Sequence, residues 1–198
     1  MTAPDSNAST ARNSTTISAE DEESAPEIVV LGLGNRLRRD EGLGICALER
    51  LYQRYTLPSG VQLVDGGVLG LELLAYVEST RRLLVLDAAL TGGEPGDLLR
   101  LEDDQAPAYL GMRASPHEIG LADLLAVAQL RGRSPESVVI LGMQPDTIEL
   151  GWELTPAVAS RLDHLVEAAV VQLAAWGYAP QPRPQPTHIA PMEVTSHA

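Results

Sequence analysis

Lysine is absent from this chain of 198 residues, and so is phenylalanine. Its 14 basic residues are all arginine and face 27 acids, a formal net charge of -13. A nucleic-acid partner is disfavoured, because a phosphate backbone needs a basic face and this surface is net negative. Without phenylalanine the core has to be built from Leu, Val, Ile and Ala. The one cysteine, Cys46, excludes an internal disulfide and any zinc site made of several thiolates. No segment approaches the roughly 20 apolar residues that span a bilayer. The opening MTAPDSNASTARNSTTISAEDEESAP has neither the basic nor the apolar region of a secretory signal. A soluble, cytoplasmic protein without membrane insertion is the expectation.

The length suits one domain with tails. Residues 1–26 are Ser, Thr, Ala and acid with almost no large apolar side chain, too little to offset the entropy of ordering them, so a disordered extension is expected. From Pro180 the chain is proline-rich and reads as an extended or flexible tail, residues 180–198. The folded body is then 27–179. Within it β-branched apolar runs alternate with helical patterns, the mark of an α/β fold: a twisted, mostly parallel five-stranded sheet with helices on both faces, three layers in all. Strands are expected at Ile28 to Leu33, Val61 to Val64, Leu83 to Leu86, Leu98 to Leu101 and Val138 to Leu141. The fourth follows a Gly-Gly-Glu-Pro-Gly turn and should return antiparallel at an edge.

Helix starts are marked by caps. Asp40 can cap a helix running from Glu41 to about Tyr55, a shorter helix covers Leu69 to Val77, and Ser115, Pro116 and Glu118 form a capping-box start for a helix closed by Gly132. Thr155 and Pro156 open the longest helix, in which Val158, Leu162, Leu165, Ala169, Leu173 and Trp176 recur every three or four residues up to Gly177.

Chemistry concentrates where strands end. Ile28 to Gly44, IVVLGLGNRLRRDEGLG, runs from a buried strand through a glycine turn to Asp40 and Glu41. LLVLDAAL puts Asp87 at the tip of another strand, and RASPHEIGLADLL puts His117 at the mouth of a helix. Open α/β sheets bind ligands at the carboxyl ends of their strands, and two carboxylates with one imidazole suit a divalent metal. Each residue also has a plain structural use: Glu41 favouring a helix N-terminus, Asp87 capping a turn, His117 as a surface histidine. Asp65, ending Val64-Asp65-Gly66-Gly67, is either a further acid near the site or the acceptor that holds the glycine turn, and the second role is favoured. Arg36, Arg38 and Arg39 either grip a partner's carboxylates or form a solvated loop face.

Four rival chemistries fit poorly. A dinucleotide fingerprint would need its third glycine where Leu37 stands, and a serine hydrolase would need a G-x-S-x-G elbow that is missing. Cys46 lies inside a helix beside Ile45 and Ala47, as a small buried hydrophobe does. The zinc motif H-E-x-x-H is absent, since His117-Glu118 is followed by Ile119-Gly120-Leu121.

Taken together, LGLGNRLRRDEGLG, VDGGVLGLELL, LLVLDAAL, SPHEIGLADLL and VVILGMQP resemble, in order and spacing, the hydrogenase maturation endopeptidases, which trim the C-terminus of the large subunit of nickel-iron hydrogenases. The resemblance implies a metal-binding trio at Glu41, Asp87 and His117. A metal held there either polarises the scissile carbonyl or only docks the precursor while a carboxylate, Glu41 or Asp87, activates water, and Asp65 is expected nearby without touching the metal. The resemblance further implies nickel, already held by the large-subunit precursor, as the metal that the site meets, and removal of a short C-terminal peptide once nickel is inserted. A nickel-binding chaperone or sensor that holds the precursor without cutting it is the alternative.

Overall fold

The computed structural model describes residues 25–68, 70–103, 105 and 120–184. Strand β1 (Ile28–Leu33) is followed by a 3-10 turn (Arg39–Gly42), helix α1 (Leu43–Arg54), the short β2 (Tyr55–Thr56) and β3 (Val61–Gly67). A second 3-10 turn (Leu71–Leu73) leads into α2 (Leu74–Ser79). After it come β4 (Arg82–Ala88), β5 (Leu98–Glu102), α3 (Leu121–Leu130), β6 (Ser137–Met143), α4 (Pro156–Ala175) and β7 (Gln181–Pro182). Among the described residues the main sheet has five strands in the order β3-β1-β4-β6-β5. Only β5 is antiparallel, and it lies at the edge, as the close glycine turn before it requires.

Nearly continuous apolar runs make the central strands because both sheet faces are covered. Ile28, Val30, Leu84, Leu86, Val139 and Leu141 pack against α1 and α4. Their alternates Val29, Leu31, Leu83, Val85, Val138 and Ile140 pack against α2 and α3. Leu, Val, Ile, Ala and Met143 fill the two cores without phenylalanine. Arg50 and Arg54 of α1 reach Asp163 of α4 at 2.8 and 3.0 Å and hold its carboxyl below the usual range, the Arg50 hydrogen bond contributing most.

Strand order sets the place for function. From β1 the chain moves to β3 on one side and then back across to β4 on the other. The loop after β1 climbs to the α1 face while the chain after β4 leaves toward β5, so a crevice opens between their carboxyl ends, the switch point of this sheet. Helix α1 is seated directly on that edge: a Cβ at Gly44 would overlap the carbonyl oxygens of Leu86 and Leu33. Gly44→Ala should therefore cost about 2–3 kcal/mol, typical of overpacking against atoms that cannot move aside. A thermal melt of this variant superimposable on the parent's would show that the helix is seated less tightly than described.

Some boundaries differ from the sequence expectation. Helix α1 begins at Leu43, because residues Arg39–Gly42 form a tighter 3-10 turn, and Asp40 does not cap it. Helix α3 starts at Leu121, with the Gly120 N–H donating to Asp123 Oδ2 at 2.9 Å. The expected start at Ser115, Pro116 and Glu118 lies outside the described residues, as do residues 1–24 of the expected 1–26 extension. At the other end, Gln181–Pro182 is extended and pairs with Tyr55–Thr56. Arg183 fastens this pair: its N–H donates to Arg54 O at 2.7 Å, its Nε to Tyr55 O at 2.8 Å, and its guanidinium stands 5.0 Å over the Tyr52 ring.

Candidate active site at the carboxyl edge

Glu41 sits in the 3-10 turn between β1 and α1 and is 2% exposed. Its position is fixed by backbone as much as by side chain. Gly34, at φ +122, lets the chain double back so closely that a Cβ there would collide with the Glu41 carbonyl. Arg38 Nε lies 3.3 Å from Glu41 Oε2 and also donates to Ile148 O at 3.1 Å, so one guanidinium braces the acid against the loop after β6. The 3-10 turn lies against β4, whose last residues carry Asp87. Glu41 and Asp87 are thus on touching elements at the switch point. Asp87 is half-buried, pairs across the sheet with Gly142, and accepts the Ala88 N–H at 2.7 Å.

Asp65 stands one strand further out, with Gly32 of β1 between it and β4. By strand alternation it points with Val61 and Leu63 toward the α1 side, whereas Asp87 follows Leu83 and Val85 toward α2 and α3. Asp65 Oδ1 accepts the Gly67 N–H at 3.0 Å, holding a turn in which Gly67 takes φ +47. Burial raises its pKa above the ordinary carboxyl value, opposed by that backbone hydrogen bond and by Arg36. A raised acid pKa favours the protonated form in the folded state. Asp65 is therefore best tolerated below the unfolded pKa, and its contribution is lost as pH rises through the folded value. Asp65→Asn, which keeps the acceptor oxygen, should melt at or above the parent temperature at neutral pH and lose that advantage near pH 3.5. An unfavourable shift at pH 7 would mean that the ionised carboxylate is needed.

His117, the third residue of the expected trio, lies outside the described residues. Among those described, no group of three or more His, Cys, Asp or Glu is placed to hold a metal ion. Glu41 and Asp87 supply oxygen donors suited to a divalent ion, and further donors have to come from elsewhere. Burial pushes the Cys46 thiol up, away from thiolate, in keeping with its place beside the α1 core and against a nucleophilic role. His164 is exposed on α4, while His188 and His197 are outside the described residues. The loop arginines have internal partners: Arg36 pairs with Glu49, Arg38 with Glu41, and Arg39 lies where a Cβ on Gly151 would stand.

Asp40 carries a function that sequence reasoning assigned wrongly. It is 0% exposed, and its carboxylate accepts four hydrogen bonds from the segment between β6 and α4. The N–H groups of Asp146 and Thr147 reach Oδ2 at 3.0 and 3.2 Å, the Thr155 N–H reaches Oδ1 at 2.7 Å, and the Thr155 hydroxyl donates to Oδ2 at 2.8 Å. The acid serves the N-terminus of α4, whose N-cap is Thr155, instead of that of α1. The Asp40 N–H donates to Thr147 O at 3.2 Å and the Arg39 N–H to Gly151 O at 2.9 Å, so the Glu41 turn and the loop after β6 form one body.

Comparison with known proteins places this arrangement. The HycI family of hydrogenase maturation proteases matches residues 45–172. The chain is 42% identical over 152 residues to the hydrogenase expression/formation protein HupD of Rhodobacter capsulatus, covering 76% of this chain and 72% of the relative. Against the hydrogenase 2 maturation protease of Escherichia coli K12 it is 36% identical over 157 residues, 79% of this chain and 96% of that one. The solved hydrogenase maturating endopeptidase HybD from E. coli superimposes with a TM-score of 0.75 at 35% identity, over 79% of this chain and 98% of HybD. By the family match, the identity to these relatives and the shared mostly parallel five-stranded sheet, the chain belongs to the hydrogenase maturation protease family.

Proposed function

We propose that this peptidase removes the C-terminal peptide from the precursor of a nickel-iron hydrogenase large subunit after nickel has been inserted, with Glu41, Asp87 and His117 meeting the nickel that the precursor carries. The observation that carries the reading is the meeting of the Glu41 turn with the Asp87 strand at the switch point, in a chain of this family. Glu41 is held by a short turn and braced by Arg38, which fixes the position of its carboxylate before any substrate arrives.

Three protein ligands leave coordination positions open, so a metal ion delivered by a substrate can be shared. Nickel so placed can polarise the scissile carbonyl. One of the two carboxylates takes a proton from the attacking water. The water oxygen bonds to the carbonyl carbon, the C–N bond breaks, and the proton passes to the leaving amine. Nickel is here part of the substrate and a license for cutting.

The test is a mass measurement. Purified protein incubated with nickel-loaded precursor should shorten it, and nickel-free precursor should stay at full length. A precursor that binds and is never shortened would favour the alternative, a chaperone or sensor that holds the large subunit without cutting it. Shortening of both forms alike would remove nickel from the reading.

A further inference from the structure

Nine large hydrophobic side chains are exposed among the described residues, and they are not scattered. Six of them, Leu37, Val68, Leu71, Leu90, Leu150 and Trp152, lie in the segments that follow the carboxyl ends of β1, β3, β4 and β6. They ring the edge on which Glu41 and Asp87 stand. Trp152 is 80% exposed and Leu150 is 82% exposed. Their loop is no loose excursion. Arg38 and Gly151 form a parallel bridge, the Gly151 N–H donates to Leu37 O at 2.9 Å, and the Asp40 carboxylate grips both ends of the same segment. That arrangement holds Leu37 alongside Leu150 and Trp152 on a braced platform next to the candidate site.

We infer that this apolar rim is the docking surface for a folded face of the precursor around its scissile segment; the inference rests on the function proposed above. Breadth decides the kind of occupant. Four neighbouring strands span about 14 Å between their outer axes, whereas one extended peptide fills about 5 Å, so the rim is too wide for the cleaved tail alone. Exposed apolar groups of this number are costly in water and mark interaction surfaces when they gather, and an aromatic flanked by aliphatic residues is the usual energetic centre of such a surface. Continuity with the candidate site selects the substrate as the partner: Leu37 lies in the β1 to α1 connection that carries Glu41, Leu90 follows Asp87 by three residues, and Leu150 and Trp152 flank Gly151, which is bonded to that same connection.

The experiment is a binding titration of nickel-loaded precursor, with Glu41→Gln as the background so that nothing is consumed. Adding Leu150→Ala and Trp152→Ala should weaken affinity about tenfold or more, with an unchanged melting temperature, since both side chains are exposed. Adding Leu130→Ala, an 88% exposed leucine at the end of α3 on the far edge of the sheet, should change affinity less than twofold. Equal affinity in the Leu150/Trp152 variant overturns the inference, as does an equal loss in the Leu130 variant. So does a change confined to self-association by size-exclusion chromatography, which would make the rim an interface between copies of this chain. Binding with the expected losses, but no shortening by the wild-type protein, would retain the docking surface and reject the peptidase reading.

Discussion

Glu41→Gln should reduce the rate of precursor shortening by about a hundredfold or more while leaving the melting temperature within a few degrees of the parent's. The substitution keeps volume and shape at a side chain 2% exposed, so a loss of rate reports on charge instead of packing. It also removes the partner that holds Arg38 at 3.3 Å, but that guanidinium retains its bond to Ile148 O. Asp87→Asn should act similarly, because Asn can still accept the Ala88 N–H while losing the charge that a metal or a water proton requires. His117→Ala, if the histidine is the third ligand, should abolish the difference between nickel-loaded and nickel-free precursor along with the activity. Full activity in all three variants would reduce the trio to structural residues. A rate loss in Glu41→Gln alone would assign it the proton and leave the metal contact to other groups.

The sheet was legible because its signal is local. Ile28 to Leu33, Leu83 to Leu86 and Val138 to Leu141 are apolar runs bounded by polar or turn residues, and each became a central strand covered on both faces. The Gly-Gly-Glu-Pro-Gly turn allowed the antiparallel edge at β5 to be anticipated, since so short a connection cannot make a parallel crossover. Glu41 and Asp87 stand out in the sequence by an equally local signal, a carboxylate in a glycine-bounded turn or at the tip of an apolar strand, and the fold brings their two elements into contact.

What escaped the sequence is long-range. Asp40 precedes a helical pattern and has the residue type of an N-cap, so the local reading gave it to α1. The donors that claim it come from Asp146, Thr147 and Thr155, more than a hundred residues away, and the 3-10 turn that lets it face them leaves no mark in a hydrophobic pattern. The β2 and β7 pair was missed for a related cause. Two residues at each end, one of them proline, carry no strand periodicity, and only Arg183 bridging to Tyr52, Arg54 and Tyr55 shows why the chain stays there. The arginine-rich loop looked from its sequence like a candidate grip for a partner's acids. In the fold Arg36 and Arg38 are engaged with Glu49 and Glu41, and the side chains left facing outward are Leu37, Leu150 and Trp152.

The larger stability effect should come from Asp40. Asp40→Ala removes the acceptor of four hydrogen bonds at a site with no exposure, leaving the buried N–H and hydroxyl of Thr155 without their acceptor and freeing the N–H groups of Asp146 and Thr147, which lie nearer the surface. Hydrogen bonds to a charged group contribute about 1.5–3 kcal/mol each and a buried donor left without an acceptor costs about 1–3 kcal/mol, so the loss should reach several kcal/mol, a large share of the roughly 5–15 kcal/mol by which a domain is stable. The loss should appear as a lower urea midpoint with an unchanged slope, because the surface exposed on unfolding stays the same. Thr155→Val removes one donor and should cost less, and the double variant should fall well short of the sum, since both residues act in one network. Activity separates a brace from a bystander. If the Asp40 grip aligns the Glu41 turn with β4, precursor shortening at a temperature where the variant is still folded should fall much further in Asp40→Ala than in Gly44→Ala at matched stability. Additive losses in the double variant, or full activity in folded Asp40→Ala, would show that the loop after β6 holds its place, and Glu41 its geometry, without this carboxylate.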